Sequence, residues 1–306
     1  MRRETTAELA LLTTVVIWSL NFTAVKIGLG SFEPLSFSVV RFTIGALATV
    51  VLVVWLEGVP RFRRADLPLL LLAAFFGITL NQITFVGALS LTTAVNTSLL
   101  VGTIPIWTAL VAVLARQERL SRRAWLGILI GMAGVAVIVL GRPGAAIGGG
   151  EGVAGGAIVG EVLAVATAAS WAVYSVLIRP LMARYSALQV SAFVMVVGTA
   201  ALVPFAAPQL ARADWSTVPS DAWLALLYAA LLSVTLTNIL YFTAIRRVGA
   251  SRAALYTYLE PFLGVLFAVA LLAEQVTAVQ LLGGVVVVGA IIFARSRRPP
   301  IAEPGI

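Results

Sequence analysis

Residues 94–118 read AVNTSLLVGTIPIWTALVAVLARQE, and residues 250–274 read ASRAALYTYLEPFLGVLFAVALLAE. Laid over one another at an offset of 156, they pair Ala94 with Ala250, Leu99 with Leu255, Pro105 with Pro261, Leu110 with Leu266, Ala112 with Ala268, Val113 with Val269 and Glu118 with Glu274. The match runs upstream without a gap through Thr79 and Thr235, Leu80 and Leu236, Ile83 and Ile239, and Ala88 and Ala244. Leu and Ala coincide often in any apolar alphabet, but a paired Pro and a paired Glu do not. Earlier in each half the offset is 153, joining Trp18 to Trp171 and Gly45 to Gly198, and the change falls in the loop after the second apolar run. Self-similarity at a fixed period marks an internal repeat.

The composition says what surrounds that repeat. Of 306 residues, 60% are hydrophobic and only 11% charged, against roughly 25% charged in a soluble domain. Apolar runs of about twenty residues, each long enough to cross about 30 Å of hydrocarbon, recur from end to end. They lie at about residues 9–27, 34–56, 67–87, 94–114, 122–140, 157–178, 187–207, 221–243, 251–272 and 277–294. The predicted fold is therefore an all-α integral membrane protein with ten transmembrane helices. Its parts are a first five-helix repeat at 1–142, a Gly-rich connection at 143–156, a second five-helix repeat at 157–296 and a cytoplasmic tail at 297–306. Connections are short except at 141–156 and 208–221. Five crossings is an odd number, so the second copy enters from the opposite side and the repeats are inverted.

Lys and Arg set the orientation, because cytoplasmic loops hold their excess. With the N-terminus inside, that side receives Arg2, Arg3, Arg61, Arg63, Arg64, Arg116, Arg119, Arg122, Arg123, Arg179, Arg184, Arg246, Arg247, Arg252, Arg295, Arg297 and Arg298. The other side holds Lys26, Arg142 and Arg212. Both termini are expected to be cytoplasmic. Arg2 and Arg3 ahead of an apolar run resemble a signal peptide, but the run is long enough to span and has no convincing cleavage site before the next one.

The absence of Cys and His removes disulfides, thiolate nucleophiles and His-based metal, haem or general-base chemistry. No phosphate-cradling loop, nucleotide fingerprint or carboxylate cluster is present. No metal, cofactor or enzymatic activity is expected. The formal charge of +8 sits in short clusters between apolar runs, which is membrane topology and not a nucleic-acid surface.

The order of these motifs resembles the drug/metabolite transporter superfamily, in particular its EamA-type ten-helix exporters. The matching pieces are Trp18-Ser19-Leu20-Asn21-Phe22 followed by Lys26, Pro34-Leu35 with Arg41-Phe42, the Pro105 helix ending in Glu118, and Leu259-Glu260-Pro261 in a helix ending in Glu274. The resemblance covers almost the whole chain and implies export of amino acids or related metabolites across a bacterial inner membrane, the aromatic and neutral amino-acid exporters being most alike. One departure is that residues 9–27 contain no Glu. The four-helix multidrug relatives carry one in their first helix, so cation-drug antiport of that type is disfavoured.

Several residues are candidates for the solute path. Trp18 and Trp171 fall near mid-span, away from the interfacial belts where Trp collects, and Asn21 and Tyr174 follow them by three residues on the same faces. With Trp107, Tyr241, Tyr256 and Tyr258 they form a candidate aromatic lining. Asn238 shares a helical stripe with Thr235 and Phe242 and is a candidate ligand, whereas Asn81 reads as interhelical glue. An ionised Glu260 in mid-span costs about 2.5–3.5 kcal/mol; it either faces the cavity as an ammonium or proton site, or is held by Arg41 or by backbone donors beside Pro261. Arg41 meets a substrate carboxylate or anchors that pair. Lys26 snorkels or pairs with Glu33. Pro105 and Pro261 read as mid-span kinks, a hinge or a matter of shape. Gly127, Gly131 and Gly134, and Gly152, Gly156 and Gly160, have the spacing for close helix approach.

The reading is a secondary transporter that exports small neutral, hydrophobic or aromatic amino acids by alternating access. Its partners are a small-molecule solute and the lipid bilayer, with a monomer expected and a dimer open. A carrier of nucleotide sugars, phosphorylated metabolites or drugs is the nearest rival, and a membrane enzyme or channel a distant one.

Overall fold

In a computed structural model the described residues are 2–117, 120–141, 151–248 and 256–295. Within them the chain is helical. We number α1 Arg2–Gly28, α2 Pro34–Glu57, α3 Arg64–Leu91, α4 Ala94–Leu114, α5 Arg122–Leu140, α6 Glu151–Ile178, α7 Ala187–Arg212, α8 Ser220–Tyr241 with a continuation to Val248, α9 Thr257–Leu272 and α10 Ala278–Arg295. The first eight contain stretches long and apolar enough to cross a membrane, and α9 and α10 are shorter apolar helices.

Local sequence sets several helix starts. Pro34 occupies the first turn of α2, where its missing N–H removes nothing. Thr93, Ser121 and Ser186 cap α4, α5 and α7, their hydroxyls accepting from the amides of Asn96, Ala124 and Gln189. One expected boundary moves: α7 runs through Pro204 and Pro208 to Arg212, so the connection after it begins later than residue 208. Proline inside a membrane helix is tolerated where neighbouring groups satisfy the freed carbonyls.

The bundle has its polarity turned outside in. Leu47, Val51, Leu114, Leu129, Leu140, Leu231 and Leu282 are exposed, while Thr14, Ser19, Asn21, Ser38, Arg41, Asn81, Gln82, Asn96, Glu161 and Gln280 are buried. Lipid as the outer solvent produces this distribution.

The repeat is visible as paired contacts. A Cβ on Gly45 would lie 2.9 Å from Val234 Cγ1, and one on Gly198 would lie 2.5 Å from Ile78 Cβ. Gly45 and Gly198 correspond at the 153 offset, and Ile78 and Val234 at 156. Around the same contacts Thr79 donates to the Gly198 carbonyl at 2.9 Å and Thr235 to the Gly45 carbonyl at 3.5 Å. Both helices are wound as π-helix there, over Phe75–Leu80 in α3 and Tyr228–Leu236 in α8. The helices α5 and α10 cross antiparallel, with Gly127 against Ala294, Gly134 against Gly283 and Gly141 against Val279. Equivalent helices that run in opposite directions make the repeats inverted. The small residues Gly127, Gly131 and Gly134 serve packing inside the bundle; Gly160 packs on Thr92, Gly156 has nothing within 4 Å, and the side of Gly152 lies outside the described residues.

Candidate functional site

Both proline helices change their winding at the proline. The first part of α4 ends at Val101, a turn at Gly102 and Thr103 intervenes, and a second part starts at Ile104 with Pro105 in its first turn. In α9 a 3-10 turn over Thr257–Leu259 precedes a helix starting at Glu260, with Pro261 likewise in the first turn. At that position proline is pre-organised and removes no helical hydrogen bond, so the expected kink is replaced in α4 by a join of two half-helices and in α9 by a change from 3-10 to α winding. The two regions meet: a Cβ on Gly102 would lie 3.1 Å from Pro261 Cβ, and one on Gly264 would lie 2.8 Å from Ser98 Cβ.

Helix α1 crosses this meeting point. Ser19 donates from Oγ to the carbonyl of Glu260 at 3.1 Å. Its neighbour Trp18 donates from Nε1 to the Ser233 carbonyl at 3.2 Å and to Thr237 Oγ1 at 3.0 Å. The Trp18 ring lies 5.2 Å from that of Tyr241, tilted by 54°. Tyr241 and Tyr256 both pack on the α1 residues Ala7 and Leu11. Trp18, Tyr241, Tyr256 and Glu260 are thereby gathered on one seam between the repeats. Asn238, on the same helix as Tyr241, donates its amide to the Val234 carbonyl at 2.7 Å.

Other expected residues fall elsewhere. Trp171 and Tyr174 form their own ring pair, 5.1 Å apart. Tyr174 is buried with Phe42, Ala74 and Val194 of α2, α3 and α7, its ring against Gly77. Tyr258 is buried in the central core with Phe22 and Val265. Trp107 donates from Nε1 to Thr103 Oγ1, one turn earlier on its own helix, at 3.2 Å. Asn81 does join helices, donating to the Thr167 carbonyl of α6 at 3.1 Å.

The charged groups do not pair as expected. Arg41 donates from Nε to the Ala229 carbonyl at 3.3 Å, with its guanidinium 5.0 Å from the Phe42 ring. Its Nη1 and the Asn21 and Gln82 side-chain oxygens are buried without a hydrogen-bond partner among the described residues. The half-buried Glu260 carboxylate makes no ion pair or hydrogen bond among the described residues, with Arg41 or otherwise. Buried polar atoms are ordinarily satisfied, so Arg41, Asn21 and Gln82 are exceptions within the bundle.

Two polar clusters tie helices together. Lys26, instead of pairing with Glu33, donates to the carbonyls of Leu89 and Thr92, while Glu274 accepts from the amides of Ala94 and Val95 at 2.9 and 2.8 Å. Nearby, Glu161 Oε1 accepts from Asn96 Nδ2 at 3.0 Å, and Asn96 Oδ1 accepts from Gln280 Nε2 at 2.5 Å. Glu161 is 2% exposed and Gln280 0%. The repeat carries a signal for this residue: Glu161 stands ten before Trp171, as Glu8 stands ten before Trp18. Glu118 lies outside the described residues.

With the geometry in place, residues 5–140 and 158–296 each match the sequence model of the EamA-like transporter family. The chain belongs to the EamA-like transporter family. It is a multi-pass transporter built from two copies of one unit, as the sequence resemblance implies. An uncharacterized transporter of Archaeoglobus fulgidus is 27% identical over 95% of this chain and 97% of its own. A protein named "Probable terminal-alkyne amino-acid exporter", from Streptantibioticus cattleyicolor, is 28% identical over 97% of each chain. A solved crystal structure superposes with a TM-score of 0.64 over 95% of this chain and 96% of that one at 21% identity, a likeness of fold.

Proposed function

We propose that this EamA-family transporter exports small neutral amino acids with hydrophobic or aromatic side chains, by alternating access, from the cytoplasm across a bacterial inner membrane. The observation that carries the reading is the Glu260 carboxylate, half-buried where α1, α8 and α9 meet and without an ion pair or hydrogen bond among the described residues, on the seam that also holds the Trp18 and Tyr241 rings. A carboxylate in that setting suits a substrate ammonium, and the tilted rings suit an apolar side chain. The open guanidinium nitrogen of Arg41 supplies a positive group for a substrate carboxylate. The amino-acid exporter among the relatives supports the same class. Inverted repeats with an interrupted α4 meeting α9 between them favour rocking of one repeat on the other.

The Lys and Arg distribution supports cytoplasmic termini. Carriage of nucleotide sugars or phosphorylated metabolites needs several free cations in the cavity, and Lys26 is tied to backbone carbonyls while Arg41 is partly so. The test is uptake of labelled Phe, Trp, Thr, Ala and Glu by the purified protein in liposomes, with and without an imposed pH gradient. Saturable movement of the neutral amino acids supports the proposal. Movement of none of them, or of Glu alone, overturns it. Insensitivity to the gradient marks a facilitator.

A further inference from the structure

A groove of about 470 Å³ opens between α1, α8 and α9, within the range of about 300–1,000 Å³ of ligand-sized clefts. Leu20 and Ile27 of α1, Leu224 of α8 and Leu271 of α9 give it apolar walls. None of the residues expected to hold the transported solute lines it. Three polar side chains, Thr23, Asp221 and Tyr228, break the apolar lining. Thr23 is fully buried, and its hydroxyl has no hydrogen-bond partner among the described residues. Asp221, exposed in the first turn of α8, makes no ion pair or hydrogen bond among them either.

We infer that this groove binds a zwitterionic phospholipid whose headgroup carries a primary ammonium, the ammonium on Asp221 and an acyl chain along the apolar walls. The groove opens on the outer surface of a bundle whose solvent is hydrocarbon, so the species present there in quantity is lipid. Asp221 stands in the first turn of α8, where a negative side chain complements the helix dipole. At this end of the bundle the acids Glu33, Glu151, Asp214, Asp221 and Glu274 stand against Lys26 and Arg212 among the described residues; Lys26 is occupied by the Leu89 and Thr92 carbonyls and Glu274 by the Ala94 and Val95 amides. An anionic headgroup meets net repulsion there. A trimethylated ammonium carries the charge but has no N–H for the carboxylate, whereas a primary ammonium makes a charge-assisted hydrogen bond. The groove also sits on a seam between the repeats, where Tyr228 donates to the Ile17 carbonyl at 2.9 Å, so its occupant wedges a surface that moves in any rocking mechanism.

The test is lipid retention by the purified full-length protein from an equimolar mixture of phosphatidylethanolamine, phosphatidylcholine and phosphatidylglycerol with identical acyl chains, read by native mass spectrometry. The unchanged protein is expected to retain phosphatidylethanolamine roughly fivefold over the other two, the scale of one ion pair at an interface. Asp221→Asn brings the three to parity, and Leu224→Trp, which fills the groove from an exposed position, lowers retention of all three. Both sites are exposed, so unchanged melting temperatures show that the variants are folded. Equal retention by the unchanged protein, or a preference that survives Asp221→Asn, overturns the inference. So does displacement of the lipid by millimolar phenylalanine, which makes the groove a solute entrance instead.

Discussion

Lys26 and Glu274 hold one turn from its two sides. The ammonium of Lys26, in the first repeat, caps the carbonyl end of α3 at Leu89 and Thr92; the carboxylate of Glu274, in the second repeat, caps the amide end of α4 at Ala94 and Val95. Each charge sits at the helix end whose dipole it complements. The turn is therefore fixed to α1 and α9 together, and this end of the bundle cannot part without breaking charge-assisted bonds.

Removing either partner is expected to loosen that end. Because the chain has no cysteine, a single Thr97→Cys in the buried first turns of α4 reports on it cleanly. In Lys26→Met or Glu274→Gln backgrounds, labelling by a water-soluble maleimide is expected to rise about tenfold, given roughly 1.5–3 kcal/mol for a hydrogen bond to a charged group. Unchanged labelling in both removes the clamp from the account.

Close packing at the π-wound segments gives a stability prediction. A Cβ on Gly198 would lie 2.5 Å from Ile78 Cβ and 2.7 Å from the Ala74 carbonyl, while Gly289 has nothing within 4 Å. Gly198→Ala is expected to destabilise by about 1–3 kcal/mol, read as a lower melting temperature. Gly289→Ala should melt no lower than the parent protein. Equal melting of the two variants contradicts the packing argument.

The aromatic residues should separate into two kinds. Trp18→Ala removes the ring facing Tyr241, and phenylalanine transport is expected to fall at least tenfold, the scale of about 1.4 kcal/mol of lost binding. Tyr174→Ala opens the space beside Gly77 and is expected to cost stability, about 3–5 kcal/mol for a large buried ring. Trp171→Ala and Tyr258→Ala place their residues by transport rate in membranes that hold normal amounts of folded protein; unchanged rates remove both from the solute path.

Glu260→Gln tests a lone carboxylate against a structural one. The expected result is normal assembly with weakened amino-acid binding and loss of whatever pH dependence the parent protein shows in liposomes. Failure to assemble, seen as aggregation on size-exclusion chromatography, would mean that the carboxylate holds the fold through a partner.

The sequence by itself determined the helices, their number and their duplication. A bilayer imposes a length and an apolar composition on each span, and a helix satisfies its own backbone, so both are written locally. The matched Gly45 and Gly198, and Pro105 and Pro261, mark equivalent positions of packing and winding in the two repeats, whereas the matched Trp18 and Trp171 meet different partners. Only the tertiary structure decided which polar groups meet. Tyr174 went to the α2, α3 and α7 core although its spacing from Trp171 equals that of Asn21 from Trp18, because a run apolar on all sides does not specify its rotation about its axis. Glu161, Asn96 and Gln280 come from three helices, and Lys26 reaches carbonyls more than sixty residues away. Such pairings depend on helix rotation and depth, set by the packing of small residues across the whole bundle, and no local pattern encodes them.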